Sequence, residues 1–259
     1  MAEAAAEAAA GAAAGAGEEA AGAERALQLE AEERREEEER RRHREPPIVF
    51  RELPAEEVFG ELVEALGETP LSPDEQRSLD ELHQYLVLGE GSWALGDDFL
   101  IFVGRLLNDE SVSSTVRVAL LRCLAACALR DDVALLLHQD RRDHALMNYA
   151  HGVDRLPAAE ARALALLICN LFESVASSEW LLYISEWEAT GGARSNIRAT
   201  TKVAVHALLA DDDAMRDIGT AIVHNLATKE RFFVGKKLRD LLPRGAKSKV
   251  TSARAAPPA

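Results

Sequence analysis

The chain has 259 residues, 47% of them hydrophobic but only 5% aromatic, an Ala/Leu-rich balance that suits helices packed through small side chains and argues against a β-sandwich. Its net charge of −14 is uneven: Met1 to Glu45 carry 13 acids and 7 bases, Arg231 to Ala259 carry 8 bases and 1 acid, and the stretch between holds about −15. An acidic body does not attract a polyphosphate, so nucleic acid would have to be held by the C-terminal tail alone.

In chain order, residues 1–23 are Ala, Gly and Glu in low complexity and are expected to be disordered. Residues 24–45 turn to Glu and Arg, with Glu30 to Arg34, Glu36 to Arg40, Glu37 to Arg41 and Glu38 to Arg42 at i, i+4, a pattern that supports a solvated single helix without a coiled-coil seam. Pro46 and Pro47 end it. The foldable domain is read as residues 46–230. Its first helix runs over Pro54 to Leu66 with Val58, Leu62, Val63 and Leu66 on one face, and its second over Pro73 to Leu88. Ser72, Pro73 and Glu75 write a capping box at that second start. Gly89, Gly91 and Gly96 mark a loop around Trp93, after which Asp97 or Asp98 caps a helix through the apolar residues Phe99, Ile101, Phe102, Leu106 and Leu107. Val112 to Arg130 carries a stripe of Val116, Leu120, Cys123, Leu124 and Cys127. Short helices follow over 131–138 and 142–150, and then a buried candidate over Pro157 to Phe172. Ser177 or Ser178 is placed as the cap of a helix through Trp187. Gly191 and Gly192 break the chain, Ser195 caps a helix to Ala210, and Asp211 to Asp213 cap a last helix to about Thr228. No segment alternates with period two for long enough to require a strand. Residues 231–259 read as a basic, disordered tail with one amphipathic turn, Phe232, Phe233, Leu238 and Leu241.

Three of these helices are copies of one another. Ala119 to Cys123 reads A-L-L-R-C, Ala165 to Leu171 reads A-L-L-I-C-N-L, and Ala221 to Leu226 reads A-I-V-H-N-L. Cys123, Cys169 and His224 fall at matching points, near the period of about 40 to 47 residues of armadillo and HEAT repeats. The expected fold is therefore all-α, a right-handed armadillo/HEAT-like helical solenoid whose concave face is a binding surface. Asn170 and Asn225 stand in apolar helices and need partners if buried. In armadillo repeats an Asn at this place bonds the backbone of an extended peptide; the alternative is that each caps its own helix or ties one repeat to the next.

The chemistry of catalysis is missing. There is no G-x-S-x-G, no H-E-x-x-H and no Gly-rich phosphate loop, so a non-enzymatic protein without cofactor is expected. Cys123 and Cys127 lack any C-x-x-C partner and read as packed thiols in a reducing compartment rather than zinc ligands. Arg105, Arg117 and Arg122 are candidate anchors for an acidic ligand or members of local ion pairs. Trp180, Tyr183 and Trp187, at i, i+3 and i+7, are expected on one face. With no signal peptide and no apolar run of about 20 residues, a monomer of the cytoplasm or nucleus, off the membrane, is expected.

The runs D-D-F-L-I-F-V-G-R-L-L, A-L-A-L-L-I-C-N-L-F and I-G-T-A-I-V-H-N-L-A make the chain from about Phe50 to Glu230 resemble the PUL domain, the armadillo-like module of phospholipase-activating protein and its fungal relatives. That resemblance implies a protein-interaction adaptor in ubiquitin-dependent pathways. The implied partner is the acidic C-terminal tail of valosin-containing protein, a hexameric AAA ATPase, held in a groove with basic residues. Carried over, Arg105 takes the place of the first groove arginine and Arg216 that of a second, under an alternative alignment of the final helices. The expected partner-binding residues are thus Arg105, Asn170, Arg216 and Asn225. The alternative function is attachment to a nucleic-acid assembly through the basic tail.

Overall fold

A computed structural model describes residues 31, 35, 46–67, 69–96, 98–189 and 191–241, with the side chains of residues 138 and 229–241 outside the description. Ala31 and Arg35 are helical; the rest of the Glu/Arg-rich stretch and the chain after Leu241 lie outside the described residues. Met1–Glu45 and Pro46–Ala259 are separate units, and the packed helices all belong to the second.

Those helices are α1 (Ala55–Leu66), α2 (Pro73–Leu86), α3 (Phe99–Asn108), α4 (Ser114–Cys127), α5 (Val133–Leu137), α6 (Ala145–His151), α7 (Ala158–Asn170), α8 (Val175–Leu181), α9 (Asn196–Leu208) and α10 (Asp213–Leu241). Side chains written into the sequence set several of the starts. Ser72 and Glu75 close a reciprocal capping box on α2, with Pro73 in the first turn, which satisfies N–H groups that no helical carbonyl can reach. Ser113 Oγ accepts from the Val116 N–H at α4, and Asp212 Oδ2 accepts from the Met215 N–H at α10. Gly67, at φ 43°, stops α1 with its N–H on the Val63 carbonyl, a left-handed conformation that favours glycine.

The helices form two rows. In the first, α1 packs on α4, α4 on α7 and α7 on α10; in the second, α2 packs on α3, α3 on α6 and α6 on α9. The three sequence copies occupy α4, α7 and α10, which are successive members of the first row. Leu120, Leu121, Leu167, Ile168, Ala221 and Ile222 from those copies are buried in a single apolar core. A unit of two short helices cannot bury its own apolar stripe, so each leans on the next.

Several sequence expectations need correction: neither Asp98 nor Ser195 makes a side-chain cap bond at the start of its helix. Val63 is 46% exposed and Ile101 63% exposed, because the apolar stripe of each helix is narrower than the residue types suggest. Ser174, not Ser177 or Ser178, caps α8, and that helix stops at Leu181, after which Trp187–Ala189 pairs antiparallel with Gly192–Arg194 in a short hairpin, β1 and β2. Gly191 and Gly192, at φ 97° and 115°, turn the hairpin, and a helix cannot pass through them. Trp180, Tyr183 and Trp187 consequently share no face: Trp180 is buried, Tyr183 lies under the Arg141 guanidinium, and Trp187 stacks on His144 at 3.9 Å. Finally, α10 continues past Thr228 to Leu241, through residues expected to be tail.

Candidate functional site: two asparagines on an extended strap

Residues Pro46 to Leu53 belong to no helix or strand. Pro46, Pro47 and Pro54 bracket the stretch, and proline with its preceding residue disfavours helix. Leu53 is buried and Phe50 packs against the core, whereas Ile48 is 45% exposed. The stretch is a strap that crosses α10 and α7 and turns at its end, where the Leu53 N–H donates to the Arg51 carbonyl at 2.8 Å.

Asn225 on α10 and Asn170 on α7 hold it. The Ile48 N–H donates to Asn225 Oδ1 at 2.8 Å, and Asn225 Nδ2 donates back to the Ile48 carbonyl at 2.8 Å. Two residues on, the Phe50 N–H donates to Asn170 Oδ1 at 2.8 Å and Asn170 Nδ2 returns to the Phe50 carbonyl at 2.9 Å. Alternate residues of an extended chain point the same way, so a two-residue step lets two equivalent helix positions act as successive rungs. Asn170 also donates to the Ala125 carbonyl at 3.0 Å, tying α7 to α4. Both asparagines are buried, at 0% and 1% exposure, where an unpaired carboxamide would be costly; the strap supplies the missing partners.

The cysteines at the matching points extend the set. Cys169 Sγ donates to the Ile48 carbonyl at 3.3 Å and Cys123 Sγ to the Val58 carbonyl at 3.0 Å. Burial pushes the Cys169 thiol up to about 12 and raises that of Cys123 as well, so both stay protonated and able to donate near neutral pH. His224 departs from the series and is exposed on α10. The rung pattern also stops at α4, where Leu124 takes the place that Asn170 holds on α7. The strap thus meets α10 first, then α7, and the chain enters α1 beside α4, opposite to the order of the helices.

The expected basic anchors lie elsewhere and are engaged. Arg105, on α3 in the second row, pairs with Glu75 and approaches Asp109 at 3.9 Å. Burial of Glu75 raises its carboxyl, but the Ser72 N–H and the Arg105 charge outweigh this and hold it below its ordinary value. Arg216 binds the Ala210 and Asp211 carbonyls at 2.9 and 2.8 Å and pairs with Asp213, closing the turn before α10. Arg117 reaches the fully buried Glu160 at 3.6 Å, and Arg122 pairs with Glu61 at 2.9 Å. Of the four expected partner-binding residues, the fold therefore brings Asn170 and Asn225 together on neighbouring helices and places Arg105 and Arg216 in separate local ion pairs. Sequence reasoning alone misses the strap residues Ile48, Phe50 and Arg51, the last bonded through its guanidinium to Glu173 at 2.8 Å. The proline bracket is their one signal.

Among the described residues no three His, Cys, Asp or Glu side chains converge as a metal ion requires, and no helix is long and apolar enough to cross a membrane. No family model, curated protein or solved structure matches the chain.

Proposed function

We propose that this protein is a non-enzymatic adaptor built on an armadillo-like right-handed solenoid, and that it holds an extended segment of a partner along the row α4, α7 and α10. The observation that carries the reading is that Asn170 and Asn225 each pair both backbone groups of one residue in an extended chain. Such pairing reads main chain rather than side chain, as in strand addition, and accepts any peptide that can lie extended. The resident strap has a two-residue repeat that matches the spacing of the rungs, which supports a polypeptide as the ligand.

The resemblance to the PUL domain makes the acidic C-terminal tail of valosin-containing protein the first partner to try. Arg105 and Arg216 would have to exchange Glu75 and Asp213 for the carboxylates of that tail. Isothermal titration of the tail peptide into the full chain tests the assignment. Binding that weakens on Asn170→Ala and on Asn225→Ala supports the tail on this row, and a further loss on Arg105→Ala would bring in the second row; binding indifferent to all three overturns it.

A further inference from the structure

The strap itself describes the ligand that its site selects. Pro46 to Leu53 reads P-P-I-V-F-R-E-L, and its seat sets chemical requirements. The rungs demand N–H groups at two alternate residues, Ile48 and Phe50. Val49 and Phe50 are half-buried, so apolar side chains are favoured between and at the rungs. The residue after the second rung, Arg51, places its guanidinium on Glu173, within a body carrying about −15. A carboxylate there would face Glu173 instead, and like charges in contact repel.

Resting on the reading of this row as a peptide holder but not on the acidic tail as its ligand, we infer that its partner is an extended segment of the pattern apolar, apolar, aromatic, basic, and that Pro46–Leu53 is a built-in occupant which such a segment displaces. The strap can be exchanged because its backbone ties at the rungs run to side chains and not to a helix or sheet of its own. An intramolecular occupant on a short tether acts at an effective concentration of about millimolar, so a partner binds only when it is concentrated or when the strap is weakened. Sequence selection then comes from the side chain after the second rung, and Glu173 makes it basic.

The experiment uses the full chain and a fluorescent peptide of residues 45–54. In Ile48→Pro/Phe50→Pro the strap loses both N–H donors while Asn170 and Asn225 stay intact, and proline keeps the extended φ. Peptide should bind this variant at least about tenfold more tightly than wild type, since the competent, open state is more populated. Replacing the arginine of the peptide by glutamate should weaken binding by about tenfold, and adding Glu173→Lys to the protein should reverse that preference. Equal affinity for wild type and variant, or a charge preference untouched by Glu173→Lys, overturns the inference. The acidic ATPase tail run in parallel separates the levels: capture of that tail but not of the basic peptide leaves the groove a peptide holder with the wrong ligand class, and capture of neither removes both. Should the double variant unfold in circular dichroism, excess peptide is added to wild type and amide exchange followed at Ile48 and Phe50; faster exchange of both supports displacement, and unchanged exchange overturns it.

Discussion

Asn170 carries more than Asn225. Both pair two backbone groups of the strap, but Asn170 also ties the Ala125 carbonyl of α4 and is wholly buried. Removing a buried partner costs about 1 to 3 kcal/mol through the groups left unsatisfied, so Asn170→Ala should fall at the top of that range and Asn225→Ala near the bottom, as read by urea denaturation. Asp140 makes a separate prediction. It is 3% exposed, its Oδ2 has no hydrogen-bond partner among the described residues, and burial pushes its carboxyl up to about 6 despite N–H donors at the start of α6. The folded state therefore binds this proton more tightly than the unfolded chain, whose aspartate titrates near 4. Stability from this group is greatest when it is protonated, and falls by about 2 to 3 kcal/mol as pH rises from about 4 through 6. Asp109 and Asp154, held below their ordinary values by Ser111 and Lys202 respectively, act in the opposite sense, and only below about pH 4. Burial lowers the pKa of His144 and His151, which oppose this trend in the same window, so the test is the difference: in thermal melts between pH 4 and 7 the stability of wild type should fall relative to that of Asp140→Asn as pH rises. The buried thiols should resist labelling in the native protein, and Cys169→Ala should cost about 1 kcal/mol, as for other small truncations in a core.

Elements were legible where their signals are local. The capping box of α2 depends on residues three apart, and the apolar stripes of α4 and α7 on residues four apart, so the chain announces both without tertiary context. The hairpin was hidden because its strands are three residues long, too short to show alternation, and because the run after Trp180 is apolar enough to continue a helix. The importance of Asn170 and Asn225 could be seen in the sequence from their place in the copies, but their partner could not, since Ile48 lies 177 residues from Asn225. Close packing between α9 and α10 also needs the structure. A Cβ on Gly219 would stand 2.7 Å from the Leu208 nitrogen and 2.9 Å from the Ala207 carbonyl carbon, contacts with backbone that cannot rotate away. Gly219→Ala should cost about 1 to 3 kcal/mol by forcing the two helices apart, whereas Gly60→Ala, with open space around the new methyl, should gain up to about 1 kcal/mol of helix propensity. Paired chemical-denaturation curves check both signs.

Across the domain from Pro46 onward, the strap closes a circuit: the chain leaves Pro46, crosses α10 and α7, and only then begins α1, so the start of the domain is bonded to its last helix. A row of helices touching only near neighbours has low cooperativity between its ends, and the strap couples them through Asn225 and Asn170. Loosening it should let α10 open before the rest. Everything proposed for the groove depends on these two asparagines holding an extended backbone at alternate residues, and amide hydrogen exchange at Ile48 and Phe50, resolved by NMR on the full chain, reads those bonds one by one. Both amides should be protected in wild type, Ile48 losing protection in Asn225→Ala and Phe50 in Asn170→Ala. Rapid exchange at both positions in wild type, or protection that survives both substitutions, would show that the asparagines do not hold the strap.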